Sequence, residues 1–597
     1  MTNKQNSFTL FALISLVAFG IYHLCYIHAV TVNVAWLTWF EQTPRLEKAL
    51  DNTLKFKDLF TQYGEHGMFG YNCLAIFNVK YLALNAFFDA YLYLAASLVF
   101  AALVIQRVYK HISLEHKGLW IATPLLCFVW FVVTQKSAGA MDTQVRLSLC
   151  FIVLNMLLLD RLLSESARPT WLQLVTFSAV FVATLVVFGT LYSFGWVSAL
   201  LLVTAFRAWG TKTFFTRDLA LVASLILGCA SYLWLYPLPP TQASSPGLTA
   251  TFLASVTHPI NSYKFFVAFL GNGLVGFSVW VDDFPNRSTY ILLNGSIVAA
   301  IYAISIVLFF RYRIYRRSWL PLFMLMHPIG VGLMLQLGRS ALLGWQGGMN
   351  DWYGIHHRLG LSGIILVFLF VYDECYAPGS LPRYFRPLLA ALALYAAPLL
   401  YISERAEWSH TSFIRSFFEG MVLYAQNPTP TLLDAEGKTP MKASYSDTMR
   451  SLNFYKKYKL NLFTNRESTS YGQLLIENGA CTNPEVLGIG WYSQEGKGRW
   501  MAKRSEFTTV SGPEGTFVIA GFAPTFQQGG SLDLTASSGE TVHMKLIPGL
   551  FSVMLKVKPH QLTTVVMNCS YSNGSNKDND SPDKRELALV INSVSAY

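Results

Sequence analysis

The chain has 597 residues, of which 53% are hydrophobic, 15% aromatic and 13% charged, with a net charge of +11. A soluble globular chain carries about a quarter charged residues, so the composition leaves either one very large core or a lipid solvent. The basic residues sit mostly in short loops between apolar runs, which fits cytoplasmic loops under the positive-inside effect and argues against a nucleic-acid partner.

Run length decides for the bilayer, because a helix needs about 20 apolar residues to cross the hydrocarbon layer. The spacing predicts eleven spans, at 8–29, 81–106, 118–135, 144–163, 170–189, 191–207, 217–237, 288–310, 318–337, 355–374 and 384–402. The first is read as a retained anchor, since no small-x-small cleavage site precedes Tyr26-Ile27-His28. With the N-terminus in the cytoplasm, Arg107 and Lys110, Arg161 and Arg168, Arg207 and Lys212, Arg311 to Arg317, and Arg383 and Arg386 all fall on the cytoplasmic side.

Segment 262–281 is apolar enough to span, but counting it would put the Arg311–Arg317 cluster outside. It is therefore expected to be re-entrant or interfacial, covered by protein or lining a wet cavity. Three regions then lie outside: the loop 30–80, the region 238–287 that begins at the turn Pro237-Leu238-Pro239-Pro240, and everything after about residue 403. Residues 403–484 read as a mixed, partly helical linker region with a break at Asn427–Thr431. From 485 to 597, short alternating runs such as Thr516–Ala520, Val542–Ile547 and Thr563–Met567 indicate a soluble β-sandwich or barrel, with 573–584 as a polar loop. Of eight cysteines, only Cys481 and Cys569 lie in this tail, and an oxidising compartment would allow them to pair.

Loop 30–80 carries Glu41, Glu47, Asp51, Asp58, Glu65 and His66. Leu46, Leu50, Leu54 and Leu59 recur near helical spacing, which predicts a helix on the membrane surface with its charges on the solvated face. Glu65-His66 stands apart: a carboxylate at a membrane-facing cavity can accept a proton from a hydroxyl, and the adjacent imidazole can orient it, although such a pair can also simply fix a loop. Lys264, Arg339, His356, His357 and Arg358 fall near the outer mouths of the spans, where cations bind phosphate or snorkel to headgroups. Asp282-Asp283 could hold a divalent metal with substrate phosphates, or be solvated. The sequence contains no zinc-spaced cluster, P-loop or Rossmann glycine signature.

Several of these segments resemble bacterial C-type (GT-C) membrane glycosyltransferases that use polyprenyl-phosphate-linked sugars. TQYGEHGMFGYNCLAIFN is similar to the Gln-x-Asn-Glu-His-Arg segment of their first external loop, with Gln62, Glu65 and His66 matching and Gly64 and Gly67 departing. Residues 191–209 resemble the Ser-Phe-x-x-Gly-Leu-x-x-Trp span, and FFVAFLGNGL (265–274) a Phe-x-Leu-x-Tyr-Leu-Gly-Asn segment. Gly338, Arg339, Gly344 and Arg358 match a Gly-Arg…Gly…Arg-Tyr stretch whose Tyr is Leu359 here. GWYSQEGKGRWM (490–501) and DKRELALVINSV (583–594) resemble the ends of a periplasmic β domain of surface-glycan transferases, with Ala588 at its final Gly.

The resemblance implies a GT-C-like transmembrane domain at 1–402 of about eleven spans plus the re-entrant segment, in the inner membrane, with a periplasmic β domain. It implies an inverting transfer from a polyprenyl-phosphate sugar to O-antigen or another surface glycan. Glu65 would be the base with Glu41 as second choice, and His66 would orient it. Arg339 and Arg358 would serve the leaving phosphate, with His357 and Lys264 beside them. Trp491, Glu495, Arg499 and Trp500 would form a saccharide face, or else be core and hairpin residues. Metal dependence stays open: a divalent metal could assist, and arginine alone can serve a lipid monophosphate leaving group. Rival readings are a glycan transporter or assembly subunit, which would carry more ionisable residues inside its spans, and an oligosaccharide ligase or polymerase.

Overall fold

The computed structural model describes residues 2–597 except 36–37, 64–65, 113–116, 132–139, 165–169, 190, 212–215, 237–252, 254, 276–286, 350–352, 377–384, 427, 429–437, 440, 442, 464–472, 478, 482–483, 496–497, 528 and 573–584. The Pro237–Pro240 turn, Asp282-Asp283, most of the 427–431 break and the 573–584 loop therefore lie outside the described residues.

The apolar runs fold as α1 (Thr2–Val30), α4 (Ala86–Tyr109), α5 (Lys117–Phe131), α6 (Ala140–Ser164), α7 (Trp171–Val187), α8 (Leu191–Thr211), α9 (Thr216–Leu235), α11 (Arg287–Arg311), α12 (Leu320–Leu343), α13 (Gly354–Tyr376) and α14 (Phe385–Ser409). Among the described residues, seven helices are long and apolar enough to cross a membrane: α1, α4, α6, α11, α12, α13 and α14. The other four expected spans coincide with α5, α7, α8 and α9, whose apolar stretches are shorter. Within segment 262–281 the described helix is α10 (Pro259–Gly271). At 13 residues and 1.5 Å per residue it is about 20 Å long, too short for a hydrocarbon layer of about 30 Å.

Without a hydrophobic force between helices in lipid, close backbone approach does the work. The pair α8 and α12 shows it: a Cβ on Gly330 would stand 2.3 Å from the Gly195 carbonyl oxygen, and one on Gly195 2.8 Å from Val331 Cα. Gly330→Val is accordingly expected to force these helices apart and cost about 1–3 kcal/mol, read as a lower melting temperature in detergent; an unchanged melt would refute the contact.

Opposite charges tie one end of the bundle. Asp160 on α6 is fully buried and accepts from Arg107 Nε of α4 at 2.6 Å. Its other oxygen accepts from Trp319 N at 2.6 Å, Leu320 N at 3.2 Å and Ser318 Oγ at 3.0 Å, capping the N-terminus of α12. Arg317 joins this end to α13 through Asp373 at 2.6 Å.

Loop 30–80 folds as α2 (Thr38–Leu50), a 3-10 turn at Phe56–Leu59, a two-strand ladder of β1 (Gln62–Tyr63) and β2 (His66–Gly67), and α3 (Phe69–Leu82). The expected surface-lying α2 is corrected. Its apolar face, with Trp39, Phe40 and Leu46, packs against α3 and α16 (Tyr445–Lys457) in a second core distinct from that of the bundle. Thr43 Oγ1 donates to Ser451 Oγ at 2.8 Å, and Tyr455 Oη to the Trp39 carbonyl at 3.4 Å. Asn461 completes the join: its amide reaches Leu84 O at 2.7 Å, and its oxygen accepts from Ala35 N at 3.0 Å. Region 403–484 is thus not a linker. α14 runs to Ser409, and α15 (Thr411–Gln426) and α16 form half of a helical cap whose other half is loop 30–80.

The tail is a two-sheet sandwich that starts earlier than residue 485, at β3 (Gln473–Glu477) and β4 (Ala480–Cys481). It continues through β5 (Trp491–Glu495), β6 (Gly498–Met501), β7 (Arg504–Val510), β8 (Thr516–Ala523), β9 (Ser531–Ala536), β10 (Thr541–Lys545), β11 (Gly549–Lys556), β12 (Leu562–Cys569) and β13 (Leu589–Ala596). One sheet has the order β10-β9-β12-β7; the other runs β11-β8-β13-β3-β4, with β6 pairing β13 and β5. β7 and β12 alternate buried and less buried side chains, the period-two pattern of a strand covered on one face. α15 packs on β8, β10 and β11. Cys481 and Cys569 lie on different sheets with free thiols, and burial pushes the Cys569 thiol up to about 12.

Candidate functional site

Alternating helix directions bring the C-terminal ends of α1, α5, α12 and α14 to the same end of the bundle as the N-terminal ends of α4, α6 and α13. Near the start of α13 lies a buried group of basic side chains that reaches the first half of α12. His356, His357 and Arg358 begin α13 and are all buried. His356 Nδ1 is 3.3 Å from His327 Nε2 on α12. The His357 ring packs on Phe269 of α10 with centroids 4.2 Å apart, and a Cβ on Gly273 would stand 2.7 Å from its Cβ, so that glycine makes room for it. Arg358 Nη1 donates to the Trp130 carbonyl at the end of α5, at 3.2 Å, and feels the opposite charges of Glu404 and Glu407 on α14.

His66 reaches the same group. It is buried on β2, paired with Tyr63, and near enough to His356 for their charges to repel. The hairpin is pinned on both sides: Gln144 Nε2 of α6 donates to Gly67 O at 2.6 Å, and Gly67 N to Gly189 O at 3.0 Å. Glu65 lies outside the described residues, between Tyr63 and His66, and Glu41 is on α2 with its side chain outside the described residues. Asp58 serves the loop itself, accepting from Lys55 N at 3.0 Å and pairing with Lys48 at 3.4 Å; both hold its carboxyl below the usual range. Arg45, which carries no expectation from sequence, organises the loop by donating to Asp58 O at 2.8 Å, Asn72 Oδ1 at 2.7 Å and Thr61 Oγ1 at 2.7 Å. Arg339 is half-buried near the end of α12, and Lys264 half-buried on α10.

The sequence reading also misses Arg146, one turn into α6. It is fully buried, with its guanidinium carbon 3.9 Å from the centroid of the Tyr93 ring, which in turn stacks on His23 at 5.4 Å. Arg358 and His356 are its basic neighbours. The signal that finds it is elementary: an arginine inside a predicted span.

Beside this group, an apolar groove of about 1160 Å³ runs between α14 and α1, α5, α11 and α13. Phe19, Leu125, Val298, Ile365 and Leu392 are among its walls, and Tyr22, Glu404, Arg405 and Trp408 form its polar end. α14 is loosely packed, with 11% of its span buried against 72% for α13. Its end is held by Tyr22 Oη donating to the Glu404 carboxylate and Trp408 Nε1 donating to Tyr22 Oη at 2.7 Å.

In the sandwich, Trp491 Nε1 donates to Glu506 O at 2.7 Å, and Arg499 donates to Gly479 O at 2.9 Å and Tyr492 O at 2.6 Å. Those polar groups hold the β5–β6 hairpin. Glu495 pairs with Arg585 across the exposed surface, over Tyr492. Among the described residues, no three of His, Cys, Asp and Glu converge as metal ligands. The chain matches no protein-family model, no curated protein and no solved structure.

Proposed function

We propose that this chain is a membrane glycosyltransferase that moves a sugar from a polyprenyl-phosphate donor to a surface glycan on the outer side of a bacterial cytoplasmic membrane. The observation that carries the reading is the long apolar groove ending at Glu404 and Arg405, with Arg358 close behind. A polyprenyl chain fits the groove, and its phosphate would sit at the polar end, where Arg405 lines the groove and Arg358 stands behind Glu404. Arg107 and Arg161 end helices that begin near the site, which supports a cytoplasmic side at their far ends. The cap and the sandwich then stand outside with the acceptor, and the exposed face around Tyr492, Glu495 and Arg585 holds that glycan near the site.

Glu65 takes the proton of an acceptor hydroxyl. That oxygen attacks the anomeric carbon, the bond from that carbon to the phosphate oxygen breaks, and the electron pair stays on the lipid phosphate. His66 orients Glu65. Arg358 meets the charge that develops on the leaving phosphate, a role the resemblance extends to Arg339, His357 and Lys264. In a dry site such a donor is worth about 10²–10³ in kcat.

Purified protein, a synthetic short-chain lipid-phosphate sugar and candidate glycans should yield glycosylated product. Arg358→Gln should lower kcat by about 10²–10³-fold, measured below the melting temperature of the variant. An Arg358→Gln enzyme with wild-type kcat would remove the cationic end of the groove from the reaction.

A further inference from the structure

We propose that Arg146 is a buried anion site, specific for the phosphate of a lipid monophosphate. Its Nε, Nη1 and Nη2 all lack a hydrogen-bond partner, although the side chain is fully buried. An arginine cannot escape by losing its proton. The Tyr93 face compensates part of the charge, but the neighbouring Arg358 carries the same sign. Arg45 is saturated by carbonyl, amide and hydroxyl oxygens. Arg358 has a carbonyl and the charges of Glu404 and Glu407. Arg146 alone of the three presents a free planar fork of N–H donors, the geometry that binds two oxygens of a tetrahedral oxyanion.

A second observation joins this site to the chemistry. Gln144, two residues earlier on α6, holds the carbonyl of Gly67 and with it the hairpin of Glu65 and His66. The second turn of α6 therefore carries both the anchor of Gly67 and the orphan cation. The ligand class follows from charge. A lipid phosphodiester donor carries one negative charge; when the sugar leaves, the electron pair stays on the phosphate and the monoester carries about two. A second guanidinium beside Arg358 favours the second state, so Arg146 binds the lipid monophosphate more tightly than the sugar-bearing diester. The identity of the lipid rests on the glycosyltransferase reading; the anion site does not.

The test uses the full chain in detergent with farnesyl phosphate, farnesol and inorganic phosphate. Wild type should bind farnesyl phosphate and be stabilised by it against heat. Arg146→Gln should lose at least about tenfold in that affinity while leaving farnesol binding unchanged. Without ligand, Arg146→Gln should melt above wild type by a few degrees, because an uncompensated buried charge has been removed. Arg146→Lys keeps the charge without the fork and should lose affinity by at least severalfold, which serves if the Gln variant cannot be purified. Wild-type affinity for farnesyl phosphate in both variants would overturn the site. Inorganic phosphate binding as tightly as farnesyl phosphate would overturn the lipid assignment. Arg146-dependent binding without sugar transfer to any acceptor would keep the site and remove the transferase reading.

Discussion

Glu65→Gln is expected to reduce sugar transfer by about 10²–10⁴-fold, the range a positioned general base contributes, while donor affinity stays within about threefold because the amide keeps the size of the carboxyl. Tyr63 and His66 are paired across the β1–β2 ladder, His66 is buried beside His356, and Gly67 is held by Gln144 and by the Gly189 carbonyl. These anchors fix the residues on both sides of Glu65 in the sequence. Single-turnover and binding measurements with a short-chain donor separate the two effects. Normal turnover in the variant would move the base to Glu41.

Asp160→Ala is expected to destabilise the bundle by about 3–5 kcal/mol, the cost of stranding a buried partner charge. Asp160 neutralises Arg107 and accepts from Ser318 Oγ and two backbone N–H groups at the start of α12. Alanine leaves the guanidinium and those donors without their acceptor at once. The double variant Arg107→Met with Asp160→Leu should recover part of the loss, since an apolar pair of similar volume carries no charge to desolvate. Thermal unfolding in detergent reads both, and a single variant that melts with the wild type would show that water or lipid headgroups already satisfy this end.

Much of the architecture was legible in the sequence because a bilayer demands long apolar runs and a one-sided sheet demands alternation. Each expected span coincides with an apolar helix, although four of these are short by length and composition. Thr516–Ala520 and Thr563–Met567 lie in β8 and β12. The partner of α2 was not legible. Leu46 and Leu50 announce a helix with an apolar face, but a face reads the same whether lipid or protein covers it, and Ser451 lies 408 positions from Thr43. His66 and His356 to Arg358 stood out as polar residues at span ends. Arg146 and Asp160 were hidden inside runs long enough to span despite them. Trp491 and Arg499 were noticed for side chains that stack on sugars, whereas their polar atoms bind backbone carbonyls.

That same separation sets an order of events during synthesis. At about 5–20 residues per second, the ribosome adds the 408 positions between Thr43 and Ser451 in about 20–80 s. For that interval Trp39, Phe40 and Leu46 have no α16 to cover them. A nascent chain held before residue 445 should therefore recruit folding helpers through this half-built cap, and release them only when its late-made half arrives.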